Sequence, residues 1–207
     1  MLKVLGRANS SNVRKVLWTL DELGTAYERE DWGHGFKDAR SPEFLNLNPN
    51  GQVPTIVDDG FVLWESNAIM RYLVERENDR SLLSGDLKER ALAEQWLAWQ
   101  ASELNPAWSY AVMALFRRAP GYDDAARVQA SIDHWGREMR ILDAQLARTG
   151  AYAAGDTFSL ADIALGISVH RWFAIEFDRP ELESVQRYYD LLRQRAAGAK
   201  YMHPTTP

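Results

Sequence analysis

The sequence changes its periodicity once, near Arg80, and that change limits the fold more than any other feature. Before it, strand-length apolar runs alternate with helical spacing. Leu2–Leu5 is a short apolar run. Val13, Val16, Leu17, Leu20 and Leu23 then recur every three or four positions up to Gly24, a residue suited to the left-handed end of a helix. Residues 26–30 have the length of a second strand. Ser41-Pro42 starts a further helix, with serine capping and proline in the first turn. Residues 53–57 and Phe61–Trp64 read as two strands joined at Asp58-Asp59-Gly60, since Asp-Gly favours a hairpin turn. Residues 65–77 read as a helix with Ile69, Met70 and Leu73 inward. The predicted order over residues 1–78 is βαβ, α, ββα, an α/β domain.

Residues 79–86 are short and polar and read as a linker. Residues 87–207 show no strand pattern and are predicted to be all-helical. Leu92, Trp96, Trp99 and Leu104 mark a long helix, expected to be interrupted or kinked near Asn105-Pro106. Val128, Ile132, Trp135, Met139, Leu142 and Leu146 repeat at 4-3-4-3-4, the mark of an amphipathic helix. In GDTFSL (residues 155–160), Ser159 suits a helix cap, Asp162 can bond back to it, and Phe158 can pack on Ile163.

Composition narrows the chemistry. The chain has no cysteine, which excludes disulfides, thiolate metal sites and a cysteine nucleophile. Any sulfur chemistry must use a ligand's sulfur. The net charge of −5, without a dense Lys/Arg run, argues against nucleic acid. No apolar stretch is long enough to span a bilayer, and no leader is evident, so the expected compartment is the cytosol. His34, His134, His170 and His203 lack metal-ligand spacing, so no metal is assigned. Eight tryptophans, five of them after residue 90, need large packing partners or a pocket to line.

Four local motifs, in order, resemble the cytosolic glutathione transferase superfamily in its serine-type classes: SSNVRKV at residues 10–16, NPNGQVP at 48–54, ESNAI at 65–69 and FSLAD at 158–162. The resemblance covers essentially the whole chain. It implies a thioredoxin-like N-terminal domain and an all-α C-terminal domain. It also implies a homodimer that joins the thiolate of glutathione to small hydrophobic electrophiles. A non-catalytic ligand-binding or regulatory member, or a glutathione-dependent dehalogenase or isomerase, are the alternative functions.

The same resemblance implies the roles of particular residues. A hydroxyl or amide among Ser10, Ser11 and Asn12 donates to the glutathione sulfur, with Ser10 in the favoured register. By position alone, Ser10, Ser11 or Asn12 reads first as a plain helix cap. Val53 pairs main chain to main chain with the cysteinyl unit, beside a cis Pro54; by sequence alone Pro54 marks an edge strand or a special turn. Ser66 and the helix start after it hold the γ-glutamyl carboxylate, while Glu65 pairs with the γ-glutamyl ammonium. Gln52 reaches the glycyl end. Serine-type relatives often place a histidine four residues before the Glu-Phe pair, and here that position is Ala39, leaving Arg40 or Lys37 as replacements. Glu103 can reach the partner's glutathione. The electrophile pocket draws on Trp108, Tyr110, Met113, Phe116 and Trp172, with Phe173 nearby.

Overall fold

The computed structural model describes residues 1–203. The chain forms two compact units, meeting in sequence between Leu83 and Ser84. The first holds β1 (Leu2–Leu5), α1 (Ser11–Leu23), β2 (Glu28–Glu30), α2 (Pro42–Leu45), β3 (Thr55–Asp58), β4 (Phe61–Trp64) and α3 (Ser66–Arg76). Its sheet has the order β2-β1-β3-β4, with β1 parallel to β2 and the other pairs antiparallel. This is the thioredoxin-like arrangement of a mixed four-stranded sheet with helices.

Local chemistry accounts for these elements. Gly24 ends α1 in the left-handed conformation (φ 64°), and the Ser41 hydroxyl accepts from the Phe44 N–H at the start of α2. Asp59 and Gly60 both have positive φ (47° and 91°), the backbone a two-residue hairpin turn needs. One inner stripe of α1 buries Val13, Val16, Leu17, Trp18 and Leu20, and α1 packs on α3, which buries Ile69, Met70, Leu73 and Val74. Each such side chain contributes about 1.5–3 kcal/mol on burial. Pro54 sits just before β3, an interior strand flanked by β1 and β4, so the edge-strand reading is replaced by the special-turn one.

The second unit is helical. A nearly continuous run comprises α4 (Leu87–Trp99), a π-turn (Gln100–Leu104), α5 (Asn105–Ala111) and a second π-turn (Val112–Phe116). There follow α6 (Ala125–Thr149), α7 (Leu160–Ala174), α8 (Glu183–Arg193) and α9 (Ala196–Tyr201). Near Asn105-Pro106 the chain stays helical, but the regular α-helix gives way to the π-turn just before it. Proline has no N–H to give to the preceding turn, and the helix instead widens, the Asn105 N–H reaching Gln100 O five residues back. The buried Gln100 Nε2 donates to Asn105 Oδ1 and to Ser168 Oγ on α7, both at 2.9 Å. Leu92 is exposed despite its place in the apolar pattern.

On α6 the 4-3-4-3-4 stripe buries Trp135, Met139, Leu142 and Leu146, with Val128 and Ile132 half-buried toward its start. Asp162 is the polar centre of this unit. Its buried carboxylate accepts from the N–H groups of Ala153 (3.0 Å) and Ser159 (2.9 Å), the Ser159 hydroxyl (3.0 Å) and the Tyr188 hydroxyl (2.8 Å). Burial raises its pKa, and these four donors oppose the rise. The cap therefore ties the 150s loop and α8 to the start of α7, rather than closing one helix end alone.

Candidate active site

Strand register gathers the sequence motifs at one end of the sheet. Leu5, the last residue of β1, pairs with Thr55, the first of β3, and Thr55 pairs with Trp64, the last of β4. The chain segments leaving these positions are Gly6 through Ser10, the Val53-Pro54 pair, and Glu65-Ser66. Close packing brings them together. A Cβ on Gly6 would lie 3.2 Å from the Val53 Cβ and 2.5 Å from Val13 Cγ2, so only glycine lets the β1–α1 loop approach so closely. The Val53-Pro54 bond is cis.

Ser10 is the N-cap residue of α1 by position, with extended backbone (φ −82°, ψ 127°), and its carbonyl accepts from the Arg14 N–H at 2.9 Å. Its hydroxyl does not cap. It makes no hydrogen bond to the helix and has no partner among the described residues. An N-cap serine usually spends its oxygen on the N–H of the second or third helical residue, so the simple capping reading of Ser10 fails. Ser11 is the first residue of α1. Asn12 looks across to α3, its Oδ1 accepting from Ser66 Oγ at 3.5 Å. Lys15 makes a second link, donating from Nζ to Asn67 Oδ1 at 3.4 Å.

Glu65 turns the chain from β4 directly into α3 with φ 75° and ψ 110°. Positive φ is uncommon for a residue with a side chain and costs about 1–3 kcal/mol, and such outliers cluster where function holds them in place. The consequence is that an exposed carboxylate and a buried serine stand side by side at a helix start. The first amides of α3 have no partners within the helix, and its dipole is positive at that end.

The NPNGQVP loop is clamped by Asn48, which is 3% exposed. Its amide donates to Gln52 O (2.8 Å) and Thr55 Oγ1 (3.2 Å), and its Oδ1 accepts from the Asn50 N–H (3.0 Å). Gln52 is thereby held with its side chain exposed. Gly51 has φ 59°, and a Cβ there would meet Arg40 Cδ at 2.8 Å, so the Arg40 side chain lies along this loop beside Gln52. Ala39 packs inward with Leu5, Trp32 and Phe44. Lys37 is engaged with Glu30 at 2.8 Å and lies 5.1 Å from the Trp32 ring centre. The Lys37 hydrogen bond holds the Glu30 carboxyl below its usual range.

Two cations of α1 escape the sequence reading. Arg14 and Lys15 are each 2% exposed, and burial pulls the Arg14 guanidinium down to about 10. The adjacent Arg-Lys pair inside an otherwise apolar helical pattern was the available signal.

In the helical unit, Trp108 and Tyr110 on α5 are half-buried. The Arg171 guanidinium lies 4.2 Å from the Trp108 ring centre and that of Arg127 4.3 Å from Tyr110. Trp108 Nε1 and the Tyr110 hydroxyl are buried polar atoms with no hydrogen-bond partner among the described residues. Met113 is half-buried and Phe116 half exposed on the π-turn that follows. Trp172 differs from this group. It is 1% exposed, edge-on to Trp135 and to Phe177 with ring centres 5.1 Å away in each case. Glu103 is exposed on the first π-turn and accepts from Ser102 Oγ at 3.1 Å.

Comparison with known proteins agrees with this reading of both units. Residues 1–75 match the family model for the glutathione S-transferase N-terminal domain, and residues 125–193 that for the C-terminal domain. Glutathione S-transferase GstB of Escherichia coli is 37% identical over 202 residues, covering 97% of each chain. The chain belongs to the glutathione S-transferase family. Among solved structures, the theta class glutathione S-transferase of Xanthomonas axonopodis pv. citri with glutathione bound is 37% identical. It covers 98% of this chain and 97% of its own, with a TM-score of 0.90. A delta-class glutathione transferase of Nilaparvata lugens is 28% identical, covering 100% and 94%, with a TM-score of 0.87. Within the glutathione S-transferase family the absence of cysteine is compatible with a serine-type site, because the reacting sulfur arrives with the ligand.

Proposed function

We propose that this glutathione S-transferase binds glutathione at the sheet end described above and transfers its sulfur to small apolar electrophiles, with the Ser10 hydroxyl activating the thiol. The observation that carries this reading is the uncommitted Ser10 hydroxyl at the start of α1. A non-catalytic relative has no need to withhold its cap serine from the helix.

The residues divide the ligand among them. Ser66 and the first amides of α3 take the γ-glutamyl carboxylate, and the exposed Glu65 takes the γ-glutamyl ammonium. Val53 pairs with the cysteinyl backbone as a short strand addition. Arg40 and Gln52 take the glycyl end: Lys37 is spent on Glu30, and Ala39 has no polar group to offer. Asn12 is better suited to steering Ser66 than to meeting the sulfur, given its contact across to α3. The thiol proton leaves to water, and the thiolate pair then forms the new S–C bond at the electrophilic carbon, whose leaving group or π electrons accept the displaced charge. Trp108, Tyr110, Met113 and Phe116 supply the electrophile contacts. Glu103 is assigned to the partner subunit's glutathione in a symmetric dimer.

A panel of electrophiles assayed with and without glutathione tests this directly. Thiol-dependent product is expected with apolar acceptors, and a panel showing no glutathione-dependent turnover, despite glutathione binding, would favour the ligand-binding alternative. Sedimentation should give twice the 23.6 kDa chain mass at micromolar concentration. A fully active monomer would remove the dimer from this proposal and Glu103 with it.

A further inference from the structure

Helix α3 begins against the usual rule for helix ends. Its first internal hydrogen bond runs from the Ile69 N–H to Glu65 O at 2.9 Å, so the amides of Ser66, Asn67 and Ala68 point out of the helix. The Glu65 side chain does not cap them, and the first turn carries no acidic residue. A helix start is the positive end of the dipole and favours an anion. Here it receives a cation instead. The Lys15 ammonium of α1 donates to Asn67 Oδ1, 3.4 Å away, at the second residue of α3.

That charge is held inside the protein. Lys15 is 2% exposed, so its ammonium does not reach water along the surface as lysines commonly do. A buried ammonium is costly, whereas an apolar side chain would extend the stripe of Val13, Val16 and Leu17 with no such penalty. The acceptor is a neutral amide. Because lysine has only donors, the contact fixes Asn67 with its oxygen toward α1. Asn12, three residues earlier on the same face of α1, meets Ser66 at 3.5 Å. Helix α1 thus touches the first two residues of α3 with one polar side chain each, and the one at Asn67 brings a positive charge. Glu65, the acid nearest in sequence, is exposed, where water screens it.

We propose that Lys15 is a positioning residue for the γ-glutamyl carboxylate, an inference that rests on the placement of glutathione given above. Its ammonium orients Asn67 and adds positive charge behind the start of α3. In the empty protein that charge lies unfavourably against the helix dipole, and a carboxylate seated on the helix amides offsets it. The same charge therefore lowers the stability of the free chain and raises its affinity for the ligand.

The test is a calorimetric titration of Lys15→Met, which keeps the side-chain length and drops the charge. Two ligands are used: glutathione, and 4-aminobutyryl-cysteinyl-glycine, the same peptide lacking only the γ-glutamyl carboxylate. The variant should bind glutathione roughly fivefold to thirtyfold more weakly, the effect of a charge at a partly buried helix end. It should bind the decarboxylated peptide as the wild type does. KM for glutathione should rise by the same factor with kcat unchanged, because Ser10 and the sulfur are untouched. Without ligand, the variant should melt roughly 2–4 °C higher. Lys15→Arg, which keeps the charge, should restore most of the affinity. Should Lys15→Met fail to fold, Lys15→Gln, which keeps a donor for Asn67, takes its place. If neither neutral variant folds, Lys15 is a support of the fold and the proposal is overturned. Unchanged glutathione affinity, equal losses for the two peptides or a lower melting temperature in a folded neutral variant would each overturn it as well. A wild-type protein that does not prefer glutathione to the decarboxylated peptide would instead remove the γ-glutamyl placement, and this inference with it.

Discussion

Glu65→Ala is expected to weaken glutathione binding by about thirtyfold, equivalent to about 2 kcal/mol, without abolishing it. Removing one member of a covered charge pair commonly costs about 2–5 kcal/mol. The lower end applies because Glu65 is exposed in the free protein and loses little solvation when it is truncated. Ser66→Ala should also weaken binding, by less, since the amides of the α3 start remain. The Glu65 variant carries a second expected sign. Alanine tolerates φ 75° no better than glutamate does, so folding stability should not improve, whereas Glu65→Gly should stabilise the turn while still weakening the ligand. Calorimetry on all three variants separates backbone relief from loss of the carboxylate. Wild-type affinity in both Glu65→Ala and Ser66→Ala would overturn this placement of the γ-glutamyl group.

How far the sequence carried the fold depended on whether each signal was local. The Asp58-Asp59-Gly60 turn, the Gly24 stop and the Ser41-Pro42 start are each written within a few residues, and each appears where the pattern puts it. The α6 stripe was legible because apolar spacing repeats over five intervals. The π-turns were not, since widening a helix by one residue per turn leaves no distinct apolar pattern over five residues. Leu92 shows the limit of periodicity: it keeps helical spacing with Trp96 and Trp99 yet faces outward.

The site was legible as a set of motifs and illegible in its internal assignments. Sequence position makes Ser10 a fair helix cap, and only the side chain's lack of any bond to the helix separates it from an ordinary one. The proposed preference for Arg40 over Lys37 likewise rests on the Gly51 contact and the Lys37–Glu30 pair, side-chain contacts with no signature in the residue pattern.

Ser10→Ala is expected to leave glutathione binding nearly intact and to raise the bound thiol's pKa by about one to two units. An ordinary thiol has a pKa of about 8.5, so most of it is protonated at neutral pH. Lowering it by about two units requires roughly 2.7 kcal/mol of preferential stabilisation of the thiolate. One charge-assisted hydrogen bond supplies about 1.5–3 kcal/mol, and the positive end of α1 adds to it. Removing the hydroxyl should therefore reduce the thiolate population at fixed pH by roughly tenfold to a hundredfold, with turnover falling in parallel. Ser10 has no competing bond to break, so its replacement costs the helix no cap interaction and the variant should fold normally. Binding should persist because the proposed contacts of Ser66, Glu65 and Val53 are to other parts of the peptide. Ser11→Ala and Asn12→Ala are the controls. Asn12→Ala should act on affinity through Ser66 rather than on the thiol, given the 3.5 Å contact between the two side chains. Thiolate absorbance of each complex, titrated against pH, reads the assignment. An upward shift in Ser11→Ala alone would move the activating group by one residue, and no shift in either serine variant would remove serine from the role.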